Sequence, residues 1–358
     1  MNKKIELENF FLAQTGLKQL SIAGRANVLL YSIFKTLPAG SKILFPAIMC
    51  TSPIIVAKLA NMQAILADVD PTNGLLTEES VQEALKKHPD LKAILSVNLY
   101  GQRPDNENIY ALCQDNKIIL IEDAALGWNF NSLGKNVDIA VLSFGSKKPV
   151  DCNGGGAALT NNQELHNSVE EIIKNIQFTS NEKIQTLSGL YTRLYYLLQE
   201  WEESVPTSQI NFAHFQDALS ELYLKDDSTV NLGNILSSLE NYQENVESRF
   251  YWAKKYEDYF QNTTLFKNFM HLEKGLGIWR YSVMYTGKNR NKFLKYIREN
   301  KLDVSSWYPS LEKLGFGTED SKLINAQLFS DRVINFWVSD INEEIFSNTI
   351  KIIDSFRE

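Results

Sequence analysis

The sequence predicts an α/β fold: a large domain on a mostly parallel sheet covered by helices, then a small α+β domain. Two observations carry this. Short apolar runs recur between residues 43 and 159 with amphipathic stretches between them, the rhythm of repeated βαβ units. After residue 161 strand signals give way to helix formers and aromatics, and they return only near residue 279. The length of 358 residues suits such a division, at about 100–200 residues per domain. We read a large domain over 1–235, with a helical segment from about 163, and a small domain over 236–358.

In chain order, a helix over 28–34 opens after Gly24-Arg25. Strands are predicted at 43–45, 64–69, 93–97, 118–121 and 139–144, each a continuous apolar run and so buried on both faces. Helices at 80–87 and 106–115 lie between them, with turns at Asp70-Pro71 and Gly101-Gln102-Arg103-Pro104. Tyr191, Tyr195 and Tyr196 sit at helical spacing and read as helix packing. A strand at 279–285, a helix at 292–299, an apolar segment at 304–308 and a closing helix at 343–356 make up the small domain.

Composition excludes several function classes. Hydrophobic residues at 44% and charged residues at 22% allow a full core without staples and are too apolar for disorder. With 36 basic and 43 acidic side chains the net charge is −7, which argues against nucleic acid as the partner. Cys50, Cys113 and Cys152 are odd in number and lack CxxC spacing, so neither a disulfide framework nor a zinc site is expected. His88, His166, His214 and His271 are scattered, and no metal is expected. No run reaches about 18 apolar residues, and the start of the chain lacks a signal-peptide pattern. The expectation is a soluble cytoplasmic protein that binds no membrane.

Sites in open α/β sheets form beyond the carboxyl ends of the strands. Three such ends carry polar residues: Ile121-Glu122-Asp123-Ala124-Ala125, Ser143-Phe144-Gly145-Ser146-Lys147-Lys148-Pro149, and Ala23-Gly24-Arg25-Ala26. Singly, each also reads as an ordinary cap, a solvated pair or a helix-opening turn. Jointly, an acid and a lysine on successive strands describe a reaction centre.

These pieces resemble, in order, the DegT/StrS-type sugar aminotransferases, pyridoxal-phosphate enzymes of fold type I. Further matches are Phe45-Pro46-Ala47, Ala67-Asp68-Val69-Asp70-Pro71, Asn98-Leu99-Tyr100-Gly101, the glycines of Gly154-Gly155-Gly156-Ala157 and Val304-Ser305-Ser306-Trp307-Tyr308-Pro309. The resemblance implies a fold type I transferase with pyridoxal 5'-phosphate as cofactor. Lys148 is the implied residue bonding the cofactor's aldehyde, with Lys147 as the rival one position away, and the same amine is the implied base. Asp123 is the implied partner of the pyridine nitrogen, while Glu122 should face the other side of the sheet and be structural. Gly24 and Arg25, opening a helix, and Ser143 are implied to hold the phosphate. Asn211 falls where some members use an asparagine from a partner subunit, which implies a homodimer with sites at the interface; a helix cap is the alternative for Asn211.

The chain departs from the family's pattern at several points. Leu126 stands where a polar residue often approaches the cofactor, and Cys50 where a ring often stacks on it, with Trp128 as a possible substitute ring. Asn98 replaces a histidine, and Asn335-Phe336-Trp337 replaces Asn-Leu-Pro. Gly154 to Gly156 also read as a tight turn, and Trp307 and Tyr308 as a packed hinge. The implied activity is transfer of an amino group from glutamate or glutamine to a keto sugar, nucleotide-linked, in amino-sugar biosynthesis. The alternatives are a non-sugar transaminase, a sugar dehydratase, or a relative without catalysis.

Overall fold

The computed structural model describes residues 2–178, 180–204, 213–214, 218–224, 231–317 and 323–357. Its main sheet has seven strands: β1 (Gln19–Ala23), β2 (Lys42–Pro46), β3 (Gln63–Ala67), β4 (Leu91–Val97), β5 (Ile119–Asp123), β6 (Ile139–Ser143) and β7 (Gly156–Thr160). They lie in the order β1-β7-β6-β5-β4-β2-β3. Strands β3 to β6 run parallel through β2, β4 and β5, whereas β7 is antiparallel to both β6 and β1. The sheet is therefore mixed but mostly parallel. A second sheet, β10-β11-β9-β8, is antiparallel and comprises β8 (Phe266–Asn268), β9 (Tyr281–Tyr285), β10 (Val304–Ser305) and β11 (Val333–Phe336).

The helices are α1 (Lys3–Thr15), α2 (Ala26–Lys35), α3 (Ser52–Leu59), α4 (Glu78–Lys87), α5 (Asn106–Asn116), α6 (Gln163–Asn175), α7 (Asn181–Ser204), α8 (Leu232–Glu240), α9 (Tyr242–Phe260), α10 (Arg290–Glu299), α11 (Ile324–Ser330) and α12 (Glu343–Ser355). None of the described helices is long and apolar enough to cross a membrane. Leu29, Ile33 and Phe34 of α2 and Ile54 and Ile55 of α3 bury one face of the main sheet against Phe45, Leu95 and Val141. The opposite face is covered by two clusters, one with Phe11 of α1 and Leu239 of α8, the other with Val81 of α4 and Ile109 of α5. This two-sided burial is what the unbroken apolar strands foretold, except at the edge strand β3, where only Ala67 is buried.

Several elements differ from the sequence reading. The run 118–121 continues as a strand to Asp123, because its ladders with Val97 and Val141 extend that far. The expected strand at 279–285 begins at Tyr281, and only Val304–Ser305 of 304–308 is a strand. Strand β7 carries little propensity of its own; Gly156-Ala157-Ala158-Leu159-Thr160 is extended because it is paired on both edges.

The two sheets meet through glycines. Gly277 donates to the Trp128 carbonyl at 2.8 Å, and the Tyr242 hydroxyl donates to the same oxygen at 2.7 Å. At Gly127, φ is +145° and a Cβ would lie 1.7 Å from the Gly277 carbonyl oxygen. Backbone meets backbone there, so no side chain can give way. Gly127→Ala should lower stability by about 3 kcal/mol, read as a fall in the urea midpoint; a midpoint equal to wild type would refute this account of the seam.

Candidate active site

Register places the site. Ala23 pairs with Gly156, and Gly156 with Ser143, so three strands end side by side. Because β1 and β6 are both antiparallel to β7, their carboxyl ends share an edge with those of β5, β4 and β2. Gly24 and Arg25 leave β1 there, and Arg25 is the N-cap of α2 with no side-chain cap bond. Gly155 donates to the Gly24 carbonyl at 2.6 Å. A Cβ on Gly156 would sit 2.6 Å from the Ala26 nitrogen, so this glycine permits a close approach to the helix start and is more than a turn residue. The first N–H groups of a helix lack intrahelical acceptors. Together with the half-buried Ser143 hydroxyl, which accepts from the Gly145 N–H at 3.3 Å, they form a cradle for an oxyanion.

Asp123, 8% exposed, ends β5 beside that cradle. One of its oxygens accepts from the Ala125 N–H at 3.0 Å, the one hydrogen bond to this carboxylate among the described residues. Burial pushes its carboxyl above the usual range, against the pull of the Ala125 N–H and the Lys148 charge. Burial likewise pushes the Lys148 amine down, while Cys50 and Asp123 draw it up. The adjacent Lys147 differs on every count. It is exposed, has φ +63°, donates its N–H to Asp151 at 2.7 Å and places its amine 3.5 Å from Asp303. Of the two lysines, only Lys148 has its amine drawn into a water-poor site facing Asp123.

Lys148 opens on a cavity of about 240 Å³. Cys50 and Thr51 come from the β2–α3 loop, Tyr191 from α7, and Trp279, Trp307 and Tyr308 from the small domain. Tyr308 stacks on Trp279 at 6.0 Å and 12°, and Trp279 on Tyr100 at 6.2 Å and 12°, so a column of rings runs from the cavity wall into the core. Arg280, 3% exposed, donates to the Asp303 carbonyl at 3.1 Å and to its carboxylate at 2.9 Å. Burial would raise Asp303, but that guanidinium wins and holds its carboxyl below the usual range.

Some expectations need correction. Trp128 is not a substitute stacking ring: it is 1% exposed and stacks on Tyr242 at 4.9 Å and 7° inside the core. Helix packing does not describe Tyr191, which is 40% exposed and lines the cavity; Tyr196 is 59% exposed. The aromatic-rich composition concealed Tyr191, since helical spacing does not say what a helix faces. Trp307 and Tyr308 also line the cavity rather than only packing a hinge. Leu126 is buried, at 4% exposure, in the small-domain cluster. Asn335 is internal to the small sheet, accepting from Ser305 and donating to Ser282, each at 2.9 Å. Asn211 lies outside the described residues.

Glu122 points to the other face of the sheet, as strand alternation requires. Fully buried, it accepts from Arg103 Nε, Asn98 Nδ2 and the Gly134 N–H, each at 2.9 Å. Asn98, in place of a histidine, therefore serves this network rather than the cavity.

A sequence profile of the DegT/DnrJ/EryC1/StrS aminotransferase family matches residues 16–195. The chain is 28% identical over 196 residues to UDP-2-acetamido-2-deoxy-3-oxo-D-glucuronate aminotransferase of Pseudomonas aeruginosa, covering 51% of this chain and 54% of that one. It is 30% identical over 162 residues to 3-oxo-glucose-6-phosphate:glutamate aminotransferase of Bacillus subtilis, covering 42% and 36%. The match thus spans about half or less of these relatives' own length. Among solved structures, NtdA of Bacillus subtilis with bound cofactor PMP superposes with a TM-score of 0.70 at 17% identity, covering 99% of this chain and 78% of that one. At that identity the likeness establishes the fold, that of fold type I aminotransferases.

Two predictions come from this geometry. Arg103→Met should cost about 3 kcal/mol by leaving the buried Glu122 charge short of its cation; chemical denaturation at pH 7 is the check, and a loss under 1 kcal/mol would show the pair to be dispensable. Acylation of the cofactor-free chain should also separate the lysines. Protonation silences an amine, and burial lowers Lys148 while the Glu257 contact raises exposed Lys254. As pH falls, Lys148 should therefore keep its reactivity to a lower pH than Lys254 does, as followed by peptide mass mapping.

Proposed function

Given that this chain belongs to the DegT/DnrJ/EryC1/StrS aminotransferase family, we propose that it is a pyridoxal-phosphate-dependent aminotransferase acting on a keto sugar. The observation that carries the reading is the buried Asp123 carboxylate facing the desolvated Lys148 amine beside the start of α2. The names of the two curated relatives, both keto-sugar aminotransferases, support the substrate class. One of them names glutamate as donor and the other a UDP-linked sugar, which favours glutamate or glutamine and a nucleotide-linked acceptor here. The PMP in NtdA supports the cofactor.

The residues present fit such a group at both ends. Asp123 has an oxygen free of hydrogen bonds within the described residues, and Gly156 leaves room against the helix start that a Cβ would fill. Bound there, pyridoxal phosphate would supply an aldehyde for an amine and a ring that accepts electrons. Gly24 and Arg25 at the α2 terminus, with the Ser143 hydroxyl, hold the phosphate. Asp123 would hold the ring nitrogen in its protonated form, and that ion pair would relieve the cost of burying this carboxylate. With such a group in place, the Lys148 amine would take the proton from the donor's Cα, and low solvation favours the neutral form that can accept it. The ring column Tyr308–Trp279–Tyr100 keeps water from the exchange. A homodimer that brings Asn211 of one protomer to the partner's site, in the cytoplasm, completes the proposal.

Purified chain incubated with the cofactor should turn yellow and bleach with borohydride, leaving a mass increment on the peptide containing Lys148. Asp123→Asn should keep the increment but lose about 10²-fold or more in turnover of glutamate with keto-sugar nucleotides. An increment on Lys147, or on no lysine, would overturn the assignment.

A further inference from the structure

A second cavity, of about 290 Å³, lies against the same lysine loop and is lined by Lys147, Lys148, Ser237, Ser238 and the buried Arg249. Arg249 is 3% exposed. Its Nε donates to Asn245 at 2.7 Å, and its Nη1 donates to the carbonyls of Ile278 and Trp279 at 3.0 and 3.1 Å. Among the described residues nothing accepts from Nη2. Burial pushes this guanidinium down to about 10, a sign that its charge is short of compensation. The Trp337 ring, 5.7 Å from the guanidinium carbon, forms part of the wall and offers no hydrogen-bond acceptor.

Two carboxylates line the same cavity, and both are otherwise engaged. Asp151 accepts the N–H groups of Lys147 at 2.7 Å and Asn153 at 3.1 Å. Asp340 accepts from the Ser339 hydroxyl at 3.0 Å. Neither is within ion-pair distance of Arg249. A nine-tenths-buried cation whose Nη2 meets no acceptor among the described residues, in a polar cavity also lined by two serine hydroxyls, has the donor set of an anion site.

We infer that this cavity is an oxyanion subsite in which Arg249 Nη2 anchors a carboxylate or a phosphate. It rests on the proposed function for the source of the anion and goes beyond it in Arg249, which the transfer chemistry above does not use. The donor amino acid offers the one anion and a phosphorylated or nucleotide-linked acceptor the other. Either would brace the loop that carries Lys148.

Calorimetric titration of the full chain without cofactor tests this, with glutarate in one arm and inorganic phosphate in the other. Wild type should bind at least one of them, and the tighter arm names the source. Arg249→Gln should weaken that binding at least tenfold. Because Arg249 also holds two backbone carbonyls, Ser237→Phe is the second variant: Ser237 is exposed at the cavity mouth, so the ring should fill the space without touching those bonds. A folded Ser237→Phe chain, with wild-type circular dichroism, should lose the binding. Silence of both anions with wild type, or unchanged affinity in folded Ser237→Phe, overturns the proposal. So does loss of binding on Trp279→Ala with Ser237→Phe unaffected, which would move the anion into the aromatic cavity. None of these readouts depends on turnover or on the cofactor.

Discussion

At the carboxyl edge of one sheet a buried carboxyl and a half-buried amine, Asp123 and Lys148, set the terms for everything around them. Burying either alone is costly, and their mutual attraction offsets only part of that. The cost is sustained by a strand buried along most of its length. Asp123 ends β5, which is laddered on both sides and apolar on both faces up to Glu122. Glu122, one residue earlier, is fully satisfied on the far face by Arg103, Asn98 and Gly134. A rigid strand therefore presents one acid that is content and one that is not. The discontented one faces the lysine.

The lysine loop is specified by contacts remote in sequence. Lys147 takes a left-handed conformation and reaches Asp303, while Arg280 grips the same aspartate from the small domain. Trp337 collects Lys147, Arg249 and Arg280 about its ring at 5.8, 5.7 and 4.7 Å. This cluster draws Lys147 toward the small domain and leaves Lys148 to turn inward. The glycine contacts at Gly101, Gly127 and Gly277 bring the two sheets close enough for Tyr100, Trp279 and Tyr308 to stack. Position of the small domain and shape of the cavity are thus one property.

Much of this was legible in the sequence, for physical reasons that differ from part to part. Parallel strands buried on both faces must be apolar without alternation, so β2 to β6 announce themselves. A glycine before a helix and an acid at a strand end are local signals, and Gly24, Arg25 and Asp123 were legible as such. Strand β7 was not, because alanine and glycine are extended there only through pairing. Tyr191 was not, because the helical period says which residues share a face but not what that face meets. Trp128 misled for the same reason: indoles suit cores and binding sites equally.

By itself, the order of residues determined the α/β class, the strand ends that carry polar groups and the short list containing Lys147 and Lys148, since these follow from local chemistry and periodicity. Tertiary structure alone decided which of the two lysines is desolvated, which rings wall the cavity and that Arg249 keeps an unmet donor. Those outcomes depend on how far each group lies from water and from charges up to 156 residues away along the chain. Distances of that kind arise only when strands find their register and two sheets close on each other.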